Sequence, residues 1–373
     1  MSAHDEIIAA WLEVLTPLGG EVRLVGRVHD PLISNLSETD VFLLIPDLHL
    51  LSPARQKRFG HYGFNHAGKE LLQKLLRRMA TLTDVWINED NKKLITIQLG
   101  DFFDMWREFP GVANPGGIPD DAHGDLRDIL YRGSFRGKQC LKATMIMGNH
   151  DTRNGIWLQE IHSFLLKGFN RSRNDKPFLF VTHGDAFDIL ETTMPEAIKE
   201  FAVTFLGDMT PVKNYPLTTW GKLAGKTNKN FSDMEDAVTT PEHSLMKGNG
   251  APGVMPGQQL PDLFCEMIVS PEDTDDVFFK KVYRCIDIAR ENNTSGQQVR
   301  VVAIGHTHHA SMILCRPEGE GRPMVLMNAG AWIENCSYPL AESGTVVTEP
   351  SAQLGVIYGN DARIYQIRLP AAA

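Results

Sequence analysis

The stretch VVAIGHTHHA, residues 301–310, runs four apolar, strand-forming residues into a glycine and then three histidines within four positions. Burying one histidine without a partner is costly, and burying three together costs more. Either the strand ends in solvent and the histidines are incidental, or they converge on something that takes imidazole nitrogen. Four other stretches bear on the choice. TDVFLLIPDLHL (39–50) is a near-continuous apolar run ending in Asp and His, and KKLITIQLGDFFD (92–104) carries Gly-Asp at the end of its apolar run. LKATMIMGNHD (141–151) ends in Asn-His-Asp, and KPFLFVTHGDAFD (176–188) carries His-Gly-Asp after its own.

Near-continuous apolar strands alternating with helices predict a sheet covered on its faces, so the expected fold class is α/β. Helical spacing covers residues 6–15 and HAGKELLQKLLRRMATL (66–82), and EVRLVGRV (21–28) reads as a strand. RPMVLMNAGAW (322–332) and the hairpin-like QLGVIYGNDARIYQIRL (353–369) read as strands of a second sheet, with Asn360-Asp361 near the turn. The whole chain, 1–373, is expected to form a single domain. Residues 189–297 break the rhythm: helical segments at 194–207 and 275–292 flank a stretch rich in Lys, Asn, Gly and Pro. This region is expected to be an inserted cap over the crevice, the alternative being a partly disordered loop region. In such folds, groups at the carboxyl ends of the strands line one crevice, so the five polar clusters are expected in one place.

Those clusters supply Asp47 and His49, Asp101, Asn149 and His150, His183, and His306 and His308. Apart from His150 they are hard-oxygen and borderline-nitrogen donors with no thiolate, a set for Mn, Fe or Zn rather than a structural cysteine site. Asp47/His49 and His306/His308 are i, i+2 pairs, which in an extended strand end project to the same side, with His309 projecting away. Seven donors are too many for one tetrahedral ion. They suit two ions about 3.5–4 Å apart, bridged by a carboxylate, which activate a water and clamp both oxygens of a phosphoryl displacement. His150 is left over beside Asp151 and is expected to be a proton donor or stabiliser oriented by that carboxylate. Asp104 reads either as a partner to one of the ligands or as a turn residue, and Trp106 and Arg107 either as substrate contacts or as ordinary structural and solvated side chains.

Composition narrows the class. Hydrophobic content of 42% and charged content of 22% are those of an ordinary globular protein. A net charge of −9 leans against a dedicated nucleic-acid-binding protein. Five scattered cysteines with no C-x-x-C pair argue against a disulfide framework or a zinc knuckle. No segment approaches ~20 uninterrupted apolar residues, and Asp5 and Glu6 stand where a signal peptide carries positive charge, so a cytoplasmic location is expected.

In order, DLH, GDFFD, GNHD, HGD and GHTH resemble the five signatures of the calcineurin-like metallophosphoesterase superfamily, over residues 40–190 and 298–369. That resemblance implies a four-layer αββα sandwich of two mixed sheets. It implies that Asp47, His49, Asp101 and His308 hold one metal, and that Asp101 bridges to a second held also by Asn149, His183 and His306. His150 would be the catalytic histidine and Asp151 its orienting partner. The implied cofactors are two divalent ions, Mn foremost, with Fe, Zn or a mixed pair as alternatives. The implied reaction is hydrolysis of a phosphomonoester, phosphodiester or pyrophosphate bond by direct attack of metal-bound hydroxide. DLHL, GDFFDMW and HGD, with a large insertion before the last motif, are similar to bacterial UDP-2,3-diacylglucosamine pyrophosphohydrolases. Those carry GNRD and GHTHRP where this chain has GNHD and GHTHHA. The expected partner is thus a small-molecule or lipid-linked phosphorylated substrate. A nuclease of the same superfamily and a non-catalytic scaffold of the same fold are the alternatives.

Overall fold

The structure, a computed structural model, describes residues 2–29, 40–51, 66–90, 92–105, 126, 128–135, 138–139, 141–151, 165–166, 169–173, 176–184, 267–269, 299–306, 308, 310–315, 324–339 and 346–369. Helix α1 (Ala3–Leu15) begins three residues before its apolar periodicity because Ser2 caps it: the Ser2 hydroxyl accepts the Asp5 amide while Asp5 reaches back to the Ser2 amide. Helix α2 (His66–Val85) follows its expected span and runs three residues beyond it.

Among the described residues, two mixed sheets account for all strands but a small hairpin, β4 (Ser134–Phe135) and β5 (Lys138–Gln139). In the first sheet the strands β2 (Asp40–Ile45), β3 (Lys93–Gln98), β6 (Ala143–Ile146) and β7 (Leu165–Leu166) lie side by side and parallel. On the other side of β2 come β15 (Val346–Tyr358), β16 (Asp361–Arg368) and β1 (Glu21–His29), all antiparallel to their neighbours, and β14 (Trp332–Pro339) also pairs with β15. The hairpin of β15 and β16 is therefore wedged between β1 and β2. Its tight turn lies at Gly359-Asn360, one residue before the expected pair, with Gly359 at φ 59 and Asp361 already in β16.

The second sheet has the order β10 (Met267–Val269), β12 (Ala310–Cys315), β13 (Met324–Ala329), β11 (Val301–Ile304), β9 (Lys176–Val181), β8 (Phe169–Arg173). Of these, β13, β11 and β9 are mutually parallel. Strand β10 lies inside the region expected to be a cap, yet it pairs with β12 as an edge strand. That segment thus belongs to the sheet, and the remainder of 189–297 lies outside the described residues.

The apolar runs are continuous because β2 is buried on both faces. Val41, Leu43 and Ile45 pack towards Trp11 and Ile7 of α1 and Leu72, Leu75 and Met79 of α2. Phe42 and Leu44 point the other way, into a core shared with Val181, Val301, Ala303, Val325 and Met327 of the second sheet. Each fully buried aliphatic side chain contributes about 1.5–3 kcal/mol. Helices therefore cover one face of the first sheet and the second sheet covers the other; the expected fourth layer is not seen among the described residues. No helix among the described residues is long and apolar enough to cross a membrane.

Candidate metal centre

The parallel strands end at a common edge, and the polar clusters sit just past those ends. Asp47 and His49 follow β2, Asp101 follows β3, Asn149–Asp151 follow β6, His183 follows β9, and His306 and His308 follow β11. Glycines let these turns approach one another. A Cβ on Gly148 would overlap the Asp101 carboxylate, one on Gly305 would overlap Asp47, and one on Gly100 would overlap the His183 ring. All of the non-glycine residues with left-handed backbone among the described residues lie here: His49 (φ 47), Asp101 (φ 49), His306 (φ 75) and His308 (φ 62). Such conformations cost of order 1–3 kcal/mol each and persist only where the surroundings impose them.

His306 and His308 lie past the end of β11 with left-handed backbone, where strand alternation no longer applies. His308 Nε2 lies 2.8 Å from His49 Nε2 and 3.4 Å from Asp47 Oδ2. The His306 ring instead stands edge-on to His183, centroids 5.1 Å apart. The two histidines serve different halves of one centre. His309 lies outside the described residues, as do Trp106 and Arg107.

In the first half, ligand atoms of Asp47, His49, Asp101 and His308 all lie within 4.8 Å of one another. The second half gathers round His183, whose Nε2 is 3.3 Å from Asp101 Oδ2 and 3.0 Å from Asn149 Oδ1. Asp101 Oδ2 is also 3.5 Å from His49 Nε2, so one carboxylate oxygen faces both halves. The other, Oδ1, accepts the His150 amide at 2.9 Å. Asp47 Oδ2 accepts the His306 amide at 2.9 Å, while its Oδ1 is buried with no hydrogen-bond donor among the described residues.

This donor set fits a divalent cation. His183 Nδ1 is 2.9 Å from the Leu99 carbonyl, so in the neutral ring it carries the proton and Nε2 offers a lone pair. The atoms facing that lone pair, Asn149 Oδ1 and Asp101 Oδ2, are acceptors as well. Acceptors converging in a buried place, beside an unsatisfied carboxylate oxygen, are what a cation resolves. Burial raises the Asp47 carboxyl above its ordinary range, with the Asp101 charge adding to the rise. Burial acts on Asp101 too, but the imidazoles of His183, His150 and His49 outweigh it and hold that carboxyl well below the usual range. Burial lowers His49, favouring the neutral ring that binds metal.

His150 is oriented by Asp104 and not by Asp151. Asp104 Oδ1 lies 2.9 Å from His150 Nδ1, and its Oδ2 lies 3.4 Å from His49 Nδ1. Both oxygens of Asp151 are taken by main-chain amides instead, Oδ1 by Phe103 and Oδ2 by Gly148, each at 2.9 Å. Asp151 thereby staples the turn after β3 to the turn after β6, and burial together with the Asp101 charge raises its carboxyl. The available signal for Asp104 was its place three residues after Asp101 in GDFFD. Two residues went unread: Gln98, which brackets Gly100 with its carboxamide, and Asn328, which holds the Gly305 carbonyl at 3.0 Å.

No protein-family model matches the chain, and no curated protein is significantly similar to it.

Proposed function

We propose that the protein is a phosphohydrolase dependent on two divalent ions, manganese foremost, that cleaves a phosphoester or phosphoric anhydride bond of a small or lipid-linked substrate. The observation that carries this reading is Asp101 Oδ2, 3.5 Å from His49 Nε2 and 3.3 Å from His183 Nε2, a carboxylate shared between two sets of donors. Asp47, His49, Asp101 and His308 would hold one ion, and Asp101, Asn149, His183 and His306 the other. When bound, such a pair supplies an activated water and neutralises phosphoryl charge.

The chain's own side chains do the rest. With Nδ1 engaged by Asp104, the His150 ring is fixed in direction and its Nε2 is the atom that donates a proton to the leaving oxygen. Its side chain is 13% exposed, so it borders solvent while Asp104 beneath it is fully buried. Asp151 keeps the turns that carry Asp101 and Asn149 in register. The four-layer αββα arrangement of calcineurin-like metallophosphoesterases belongs to this proposal, supported by the two mixed sheets packed face to face. So does a cytoplasmic setting, supported by five cysteines without C-x-x-C spacing.

The test is hydrolysis of bis(p-nitrophenyl) phosphate and p-nitrophenyl phosphate by metal-stripped protein as Mn²⁺ is titrated in, with His150→Ala and Asp101→Asn beside the wild type. Metal-dependent turnover lost in both variants is the expected result. Nucleotide-sugar pyrophosphates and single-stranded DNA extend the panel, and preference among them names the bond. Two bound equivalents of Mn²⁺ with no turnover on any of these would sink the hydrolase and leave a scaffold.

A further inference from the structure

Two buried carboxamides, one on each sheet, grip turns that build the centre. Gln98 is the last residue of β3 and fully buried. Its Oε1 accepts the Gly100 amide at 3.1 Å and its Nε2 donates to the Gly100 carbonyl at 2.5 Å. The same Nε2 reaches towards the Pro46 carbonyl, 3.5 Å away. Gln98 thus spans the two turns that carry Asp47 and Asp101. Asn328 stands one residue before the end of β13, 1% exposed. Its Oδ1 accepts the Gly330 amide and its Nδ2 donates to the Gly305 carbonyl, both at 3.0 Å.

The device is the same on both sheets. Each carboxamide accepts the amide of a glycine two residues on, and each of those glycines has a left-handed backbone, Gly100 at φ 108 and Gly330 at φ 81. The partners fix the orientation of each carboxamide, because an amide N–H demands the oxygen and a carbonyl demands the nitrogen. Beyond the glycines lie the ligand turns. Asp101 follows Gly100 and His306 follows Gly305, while Ala331 bridges to Asp47 and the Trp332 amide donates to the Asp47 carbonyl at 2.8 Å.

We propose that Gln98 and Asn328 are positioning residues that set the separation of Asp47 and Asp101, and through it the affinity of the centre for divalent metal. This rests on the reading of the centre as a two-ion site. Partners that orient ligands in this way typically change metal affinity by about 10–100-fold when removed. Neither carboxamide reaches a metal itself in this reading; each acts through the main chain of the turn it holds.

The experiment compares metal-free wild type, Gln98→Met and Asn328→Leu in the full chain, by calorimetric titration with Mn²⁺ and by thermal melts in EDTA and in Mn²⁺. The wild type is expected to take up two equivalents. Each variant is expected to bind Mn²⁺ at least about tenfold more weakly and to lose most of the rise in melting temperature that Mn²⁺ gives the wild type. A merely structural role lowers the EDTA and Mn²⁺ melts equally and leaves affinity unchanged, which overturns the proposal. Should Gln98→Met fail to fold, Asn328→Leu on the other sheet decides alone. A wild type that binds no Mn²⁺ overturns the metal reading and this inference with it, whereas two tight equivalents in every variant overturn only the inference.

Discussion

Asp104, fully buried, lies 2.9 Å from the partly exposed His150, and the same carboxylate lies 3.4 Å from His49. One side chain therefore touches both a histidine of the candidate metal centre and the histidine proposed for proton transfer. That relationship gives Asp104 leverage over two parts of the centre at once.

Asp104→Asn keeps the shape but replaces one acceptor oxygen with a donor, so the His150 ring loses its fixed direction. General acid catalysis by a positioned side chain is worth about 10²–10⁴-fold, so kcat is expected to fall within that range with KM little changed. His150→Ala should fall by a similar factor, and the double variant by little more than either, since the two act as a unit. Steady-state kinetics of the three variants on bis(p-nitrophenyl) phosphate checks this. Multiplying losses would mean that Asp104 works independently of His150.

Metal removal should cost stability. Four left-handed residues and the buried carboxylates of Asp47 and Asp101 crowd the metal-free centre. An ion that binds only the folded chain adds about 2.7 kcal/mol when its free concentration is a hundredfold above Kd. The melting temperature is thus expected to rise with Mn²⁺ and fall back with EDTA. Differential scanning fluorimetry across a Mn²⁺ series reads it, and a flat response would contradict the metal assignment.

Gly148→Ala places a methyl group where the Asp101 carboxylate lies, and Gly305→Ala does the same to Asp47. Neither carboxylate has room to retreat, being 0–1% exposed. Displacement by even ~1 Å costs catalysis about 10²-fold, and that loss is expected in both variants together with weaker Mn²⁺ binding. Gly359→Ala serves as the control, because nothing lies within 4 Å of its added carbon, although its φ of 59 carries a small strain.

Outside this centre, His4 in α1 is expected to make stability depend on acid. Its Nε2 is 3.2 Å from the Asp361 carbonyl and the Tyr365 hydroxyl is 3.2 Å from its Nδ1, so the neutral ring satisfies both. Burial, with the Arg363 charge adding to it, lowers its pKa to about 4. The unfolded chain takes up this proton as pH falls through 6.5, while the folded chain does not until about 4. Stability is therefore full above pH 6.5 and declines between those values, by at most about 3 kcal/mol. Urea unfolding of wild type and His4→Gln at pH 7 and pH 5 isolates the effect, and the wild type is expected to lose more than the variant. Equal losses would remove His4 from the account.

The strands and the edge on which the polar clusters gather were legible because β2, β3, β9 and β11 read as mainly apolar runs and each run stops at its cluster. What the sequence hid were contacts between turns distant in the chain. Asp151 sits beside His150 in sequence but is claimed by the amides of Phe103 and Gly148, whereas Asp104, 46 residues away from His150, reaches its ring. Gln98 and Asn328 read as ordinary strand residues, because nothing local announces that a carboxamide faces a turn. The left-handed backbone at His49, Asp101, His306 and His308 was hidden for another reason: Asp and His tolerate that conformation but do not require it. Strand β10 was concealed by the composition of the segment round it.

The wedge of β15 and β16 between β1 and β2 bears on how the protein is born. A ribosome delivers β1 first, yet its partner among the described residues, β16, ends at Arg368. The nascent amino-terminal segment must wait for more than three hundred further residues before its edge is filled. Asp47 waits as well, since its main chain is held by Ala331 and Trp332. Chains stalled before these residues emerge lack both the zipper of the first sheet and one wall of the candidate metal centre, so neither forms until β16 has been made.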